Sequence, residues 1–192
     1  LSQEYHGLNV IYSAVYRSGA IYHRKTPDLE VDYFYEEVPQ PRIFGWNWFR
    51  HPFFMQAGMV DFDGVLCEDW KSRPEQENDA EFLEHVKNAK PLYIPHVRVA
   101  AIVTSRLEKY RPECKEWLRK HGVLYSKLIM HPAKTPQERR AARDHAERKA
   151  SAYAGDPEAN LFVESDVRQA RRIFDITGKP VLCTDTMTCV SK

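Results

Sequence analysis

The stretch MVDFDGVLC, residues 59 to 67, ends a short apolar run on Asp61, places Asp63 two positions on, and turns at Gly64. Asp-Gly between apolar segments is a common hairpin-turn signal. The same letters also describe a parallel strand that ends in a carboxylate, at the sheet edge where α/β proteins bind ligands. With period-two alternation, Asp61 and Asp63 point the same way and Phe62 goes to the core. Two carboxylates so placed suit a nucleophile and its acid-base partner. Gly64 lets the chain bend away from them. The rest of the chain decides between turn and site.

At 192 residues, 43% of them apolar or aromatic, the chain can bury one good core or one core with a small appendage, and a single catalytic domain is the default expectation. Lys and Arg number 28 against 27 Asp and Glu, so the overall balance does not call for a polyanionic partner. Cys67, Cys114, Cys183 and Cys189 form no C-x-x-C pair, and the eight histidines lack zinc-ligand spacing. The cysteines read as reduced thiols. No apolar run approaches the roughly 18 residues that span a bilayer, and LSQEYHGLNV is no signal peptide. A cytoplasmic protein without membrane association is expected. Opening on Leu1, it fits a processed chain or a piece of a longer one.

Residues 8 to 17 and 29 to 38 are rich in β-branched and aromatic residues and read as two strands joined by a loop with Gly19 and Pro27. Residues 39 to 54, PQPRIFGWNWFRHPFF, are too proline-rich for a regular element and read as a linker that packs tightly. Segment 1 to 57 is thus a β-rich, aromatic appendage expected to pack on a main domain at 58 to 192. In that domain short apolar strands alternate with helical segments, the pattern of an α/β fold with a mostly parallel sheet. Five strands are expected, at 59 to 62, 99 to 104, 124 to 130, 161 to 164 and 180 to 183. Asn78 and Glu81 resemble a capping box for a helix carrying Phe82, Leu83 and Val86 inward. A second helix starts near Pro112 and stops at His121-Gly122. Thr135, Pro136 and Glu138 open a third running to about Tyr153, and a last one follows Asp166 to Gly178.

Two further strand ends match the first. VAAIVTSR ends on Thr104 and Ser105, whose hydroxyls suit a phosphoryl oxygen, or else cap a helix. NLFVESD ends on Glu164 and Asp166, where a carboxylate could hold a hard divalent cation, or Asp166 could simply cap the next helix.

DFDGVL at 61 to 66, IVTSR at 102 to 106 and FVESD at 162 to 166, in that order, resemble motifs one, two and four of the haloacid dehalogenase (HAD) superfamily. The resemblance covers residues 58 to about 185. It implies a three-layer, Rossmann-like α/β fold with a minimal cap. Asp61 then corresponds to the phosphoryl-accepting nucleophile and Asp63 to the acid-base residue. Members with this second Asp are typically phosphatases, whereas dehalogenases and P-type ATPases carry another residue there. A magnesium-dependent phosphate monoester hydrolase acting through an aspartyl-phosphate is therefore expected. Bringing a carboxylate up to a phosphate requires cancellation of charge, so Mg2+ and a fixed lysine are expected too. The resemblance implies metal ligation by Asp61, the Asp63 carbonyl, and Glu164 or Asp166. Thr104 joins the catalytic set, and Ser105, Arg106 and Gly64 the substrate contacts. The family's third motif is a lysine ahead of the fourth strand; Lys149 has the better spacing, with Lys134 the alternative.

Glu-Ser-Asp departs from the usual paired aspartates of motif four. Only about 35 residues separate motifs one and two, too few for a large lid. An open site favours a bulky substrate or a cover from elsewhere in the protein. Residues 1 to 57 are similar to the tail of a type I phosphoribosyltransferase domain, though no phosphoribosyl-pyrophosphate loop is present. That implies a fragment, or a lineage that lost its transferase, and no transferase activity; a phosphoribosyltransferase-like domain or partner remains a possible companion. Trp46, Trp48 and Phe49 read as a hydrophobic clasp, with a stacking platform as the alternative. The substrate is expected to be a phosphorylated small molecule or a nucleotide. Two other functions stay open: an inactive HAD-like binding module, and a nucleic-acid end phosphatase suggested by the basic run QERRAARDHAERK, which otherwise reads as a salt-bridged exposed helix.

Overall fold

The computed structural model describes residues 13–17, 33–37, 49, 51–70 and 79–190. The chain divides into two compact units, Leu1–Phe44 and Gly45–Lys192. The first holds β1 (Ser13–Arg17) and β2 (Tyr33–Glu37), which pair in parallel with Ser13 opposite Tyr33 and Arg17 opposite Glu37. Both lie within the stretches read as strands. The Gly19 and Pro27 loop, the capping residue Asn78, and Trp46 and Trp48 lie outside the described residues.

The second unit runs α1 (Pro52–Gln56), β3 (Gly58–Val60), α2 (Asp79–Asn88), β4 (Val99–Leu107), a 3-10 turn (Glu108–Tyr110), α3 (Arg111–Lys120), β5 (Tyr125–His131), α4 (Pro136–Ala142), α5 (His145–Ala154), β6 (Leu161–Glu164), α6 (Val167–Thr177), β7 (Val181–Cys183) and β8 (Thr188–Val190). Its sheet has the order β5-β4-β3-β6-β7-β8, parallel at every pairing except β7 with β8. This is a mixed α/β fold on a mostly parallel sheet.

Strand order makes the site. From β3 the chain moves outward through β4 to β5, then returns past β3 to β6 and moves the other way to β7. Right-handed crossovers therefore put α2 and α3 on one face and α5 and α6 on the other. The strands are apolar on both sides, as a sheet covered on both faces demands. Met59, Ala101, Val103 and Phe162 join Ala150, Tyr153, Ala170 and Ile173 of α5 and α6 in one core cluster. On the other side Phe62 meets Trp117 of α3 at 5.2 Å between ring centroids, and Trp117 Nε1 donates to Ala89 O. The direction of travel reverses between β3 and β6, which leaves a crevice at their carboxyl ends.

Three expectations are corrected. Residues 52 to 56 are helical, because Pro52 at the first helical position costs no hydrogen bond and its φ suits the turn. The third helix is two, α4 and α5, broken where Arg143 takes a left-handed φ of 48°. The sheet has six strands; β8 is short, largely exposed and antiparallel, and its alternation was too brief to read. Among the described residues, no helix is long and apolar enough to cross a membrane.

Candidate active site

Asp61 extends β3 by one more ladder bond, its N–H donating to Val163 O at 2.9 Å. Its Oδ1 accepts from the Phe62 N–H at 2.7 Å, and Oδ2 from Lys149 Nζ at 2.7 Å. Phe62 is fully buried, so the side chains part as the alternation requires. At Gly64 φ is 73°, and a Cβ would stand 2.3 Å from Ser165 Oγ. Only glycine fits that close approach of the β3 and β6 ends. Ser165 Oγ in turn donates to the Asp63 carbonyl at 3.3 Å.

Lys149 is 2% exposed although α5 is otherwise amphipathic, with Ala146, Ala150 and Tyr153 turned to the core. Besides Asp61, its ammonium donates to Glu164 Oε2 at 2.6 Å and Gln169 Oε1 at 3.0 Å, which uses all three donors. Lys134, ahead of α4, is exposed and does not line the cleft. Glu164 is fully buried, and its Oε1 accepts from the Ser165 and Asp166 N–H groups. Asp166 caps α6: Oδ1 accepts from the N–H groups of Arg168 and Gln169 at 2.8 and 2.9 Å.

Asp63 meets Arg106, whose Nη2 donates to Oδ1 at 2.6 Å and Nε to Oδ2 at 3.0 Å. The guanidinium is buried over the Phe62 ring at 3.9 Å, with Cys67 Sγ 3.3 Å from Nη2. Arg106 thus spends its fork on Asp63, whereas the sequence placed it among the substrate contacts. Thr104 Oγ1 accepts from the Arg106 N–H at 3.2 Å and does not line the cleft. Ser105 does line it, with Oγ 2.8 Å from His145 Nδ1.

Asp61, Asp63, Ser105, Arg106, Lys149 and Glu164 are thereby gathered in a single cleft of about 310 Å³, with Asp166 on its wall. Its apolar wall includes Trp70 and Phe82. Phe82 was read only as an inward helix residue and Trp70 and Gln169 not at all, while Arg139, Arg140 and His145, which also line the cleft, fall in the basic run 137 to 149 read there only as a charged helix or a nucleic-acid signal. Phe49, read as part of a clasp, is buried with its ring 5.8 Å from that of Tyr93.

The electrostatics follow from burial. Desolvation pushes the Asp61 carboxyl up, Lys149 resists, and Glu164 and Asp63 add to the push, to about 8. Burial would also raise Asp63, but the Arg106 guanidinium holds it well below the usual carboxylate range. Burial disfavours the Lys149 ammonium, yet Asp61 and Glu164 more than offset this and keep it charged. Around Asp61 the buried Glu164 and nearby Asp63 repel a second negative charge, and Lys149 alone does not offset them together with burial.

A carboxyl that burial leaves protonated near neutral pH for want of a counter-charge, as at Asp61, is one that a hard divalent cation among these oxygen donors would ionise. Asp61, the Asp63 carbonyl, and Glu164 or Asp166 are the residues that could hold one. Asp63, Cys67 and His85 also bring ligand atoms within 4.8 Å of one another. There Arg106 already stands against both Asp63 and Cys67, and burial keeps the Cys67 thiol protonated, so that cluster does not suit a cation. Comparison with protein-family models, with curated proteins and with solved structures finds no match for this chain.

Proposed function

We propose that the chain is a magnesium-dependent phosphate monoester hydrolase with a HAD-like, three-layer catalytic domain and Asp61 as phosphoryl acceptor. One observation carries the reading: Lys149 joins Asp61 at the end of β3 to Glu164 at the end of β6, in the crevice where strand order reverses. A structural ion pair needs no such cleft. A nucleophile that must meet a phosphate does.

In this reading Asp61 attacks phosphorus while the bond to the leaving oxygen breaks and its electron pair departs with that oxygen. A phenolate leaves without a proton. Lys149, with its charge held, steadies the carboxylate and the incoming phosphoryl oxygens. Ser105 offers a hydroxyl on the same wall. Water then displaces Asp61 from the aspartyl-phosphate, and its proton passes to the Asp63 carboxylate, which Arg106 keeps ionised while lowering its basicity. Bound by Asp61, the Asp63 carbonyl and a carboxylate of the 164 to 166 cluster, magnesium would supply cancellation of phosphate charge.

The test is phosphate release from p-nitrophenyl phosphate with Mg2+. Asp61→Asn should lower turnover by about 10³-fold or more, and EDTA should stop it. Full release by Asp61→Asn, or no release by the wild-type chain across aryl phosphates, nucleotides and sugar phosphates, overturns the reading.

A further inference from the structure

The cleft continues into a groove along α4, α5 and the first turns of α6, about 810 Å³ against about 310 Å³ for the cleft itself. Arg140, His145, Asp166 and Gln169 line both, so the two adjoin. To these the groove adds Arg143, Arg168 and Arg172, giving four arginines against two carboxylates, Glu147 and Asp166. Arg172 pairs with Glu147 at 2.9 Å and Arg168 with Asp166 at 3.5 Å, and all four charged groups stay solvent-accessible. Arg143 is exposed at the left-handed break between α4 and α5. That break, strained for a residue with a Cβ, turns the basic run from a plain helix face into one wall of a groove.

The opposite flank has the other sign. Beyond Trp70, which also lines the cleft, the surface carries Glu68, Glu81 and Glu84 with Lys90 alone among lysines and arginines. A polyanion entering the cleft is drawn toward α4 to α6 and repelled from α2. Guanidinium forks match phosphate oxygens two at a time. Trp70, half-buried on the cleft wall with Phe82 packed behind it, presents aromatic surface on which a base can stack.

We propose that this groove is a phosphate-backbone subsite: it holds internal phosphates of a single nucleic-acid strand whose terminal phosphate reaches Asp61. The inference rests on the proposed phosphatase site and names its substrate class.

The experiment measures binding of fluorescein-labelled single-stranded DNA, one to eight nucleotides long, with a 3′-phosphate, a 5′-phosphate or neither, by the wild-type chain in EDTA. Affinity should rise with length over the first few nucleotides and fall with salt, with a log-log slope of about −2 to −3 for three or four phosphates. Arg143→Ala/Arg172→Ala should weaken octamer binding about tenfold and flatten the slope. Glu147→Gln should strengthen it, and Arg119→Ala, on the far helix α3, should change nothing. Separately, with Mg2+, the kcat/KM ratio of phosphorylated octamer to p-nitrophenyl phosphate should fall in Arg143→Ala/Arg172→Ala. No gain from one nucleotide to eight, or equal losses in the Arg119 variant, overturns the subsite and leaves the phosphatase standing if aryl phosphate is hydrolysed. Length-dependent binding without hydrolysis of any phosphate keeps the groove and removes the phosphatase.

Discussion

Lys149 shows how a residue can be found by spacing and understood only through its neighbours. The sequence selected it over Lys134 from its distance to the fourth strand of the main domain; that it lies between two buried carboxylates is a tertiary fact. Replacing it with methionine leaves Asp61 and Glu164 uncompensated inside the protein. Lys149→Met should therefore lose about 3–5 kcal/mol in urea denaturation, where a solvated helix lysine would lose less than about 0.5 kcal/mol. Gly64 is a second case. The bend was legible, but the close approach of Ser165 was not, since it joins positions about a hundred residues apart. Gly64→Ala meets both a left-handed backbone and that side chain, and a loss of about 1–3 kcal/mol is expected; an unchanged melting temperature would contradict the packing. Arg106 lines the cleft as its place beside β4's end implies, but that Asp63 takes its fork is again a tertiary fact, joining positions 43 residues apart.

Elements were readable where a local signal sets their ends. Thr135 caps α4 by accepting from the Glu138 N–H, as its spacing implied. Asp166 caps α6, and the consequence is measurable. Burial alone would raise its carboxyl, but the Gln169 and Arg168 N–H groups, with the Arg168 charge, pull it down. A folded value below the unfolded one, about 3.9, means stability that is present above that pH and lost as pH falls through the folded value. Asp166→Ala, measured in EDTA so that only the cap is read, should cost about 0.5–2 kcal/mol near neutral pH, with the gap to wild type closing below about pH 4. A constant gap would point to packing rather than the carboxylate. The break at Arg143 carried no such signal. Ala and Arg favour helix on both sides of it, and the contacts around it are tertiary. His131 Nε2 stands 3.2 Å from Asp144 Oδ1, and His145 reaches Ser105 on β4. His131 Nδ1 accepts from the Ala133 N–H, so Nε2 carries the proton toward Asp144.

Across the whole second unit, five of the six sheet strands and the alternation of the fold could be read because parallel strands are apolar on both faces and their connections helical. Strand order could not be read, and it alone brings the β3 and β6 ends together. The carboxylates and the lysine were legible as types; their assembly, the His145 contact and the basic groove depend on that topology. The central claim is that Asp61 takes the phosphoryl group. It is tested most directly by acid-quenching the chain during turnover of p-nitrophenyl phosphate with Mg2+ and locating phosphate on peptides by mass spectrometry. Covalent phosphate should appear on the peptide containing Asp61, accumulate in Asp63→Asn as hydrolysis slows, and vanish in Asp61→Asn. Undiminished phosphate release by Asp61→Asn, with that peptide never modified in the wild-type chain, would contradict the account.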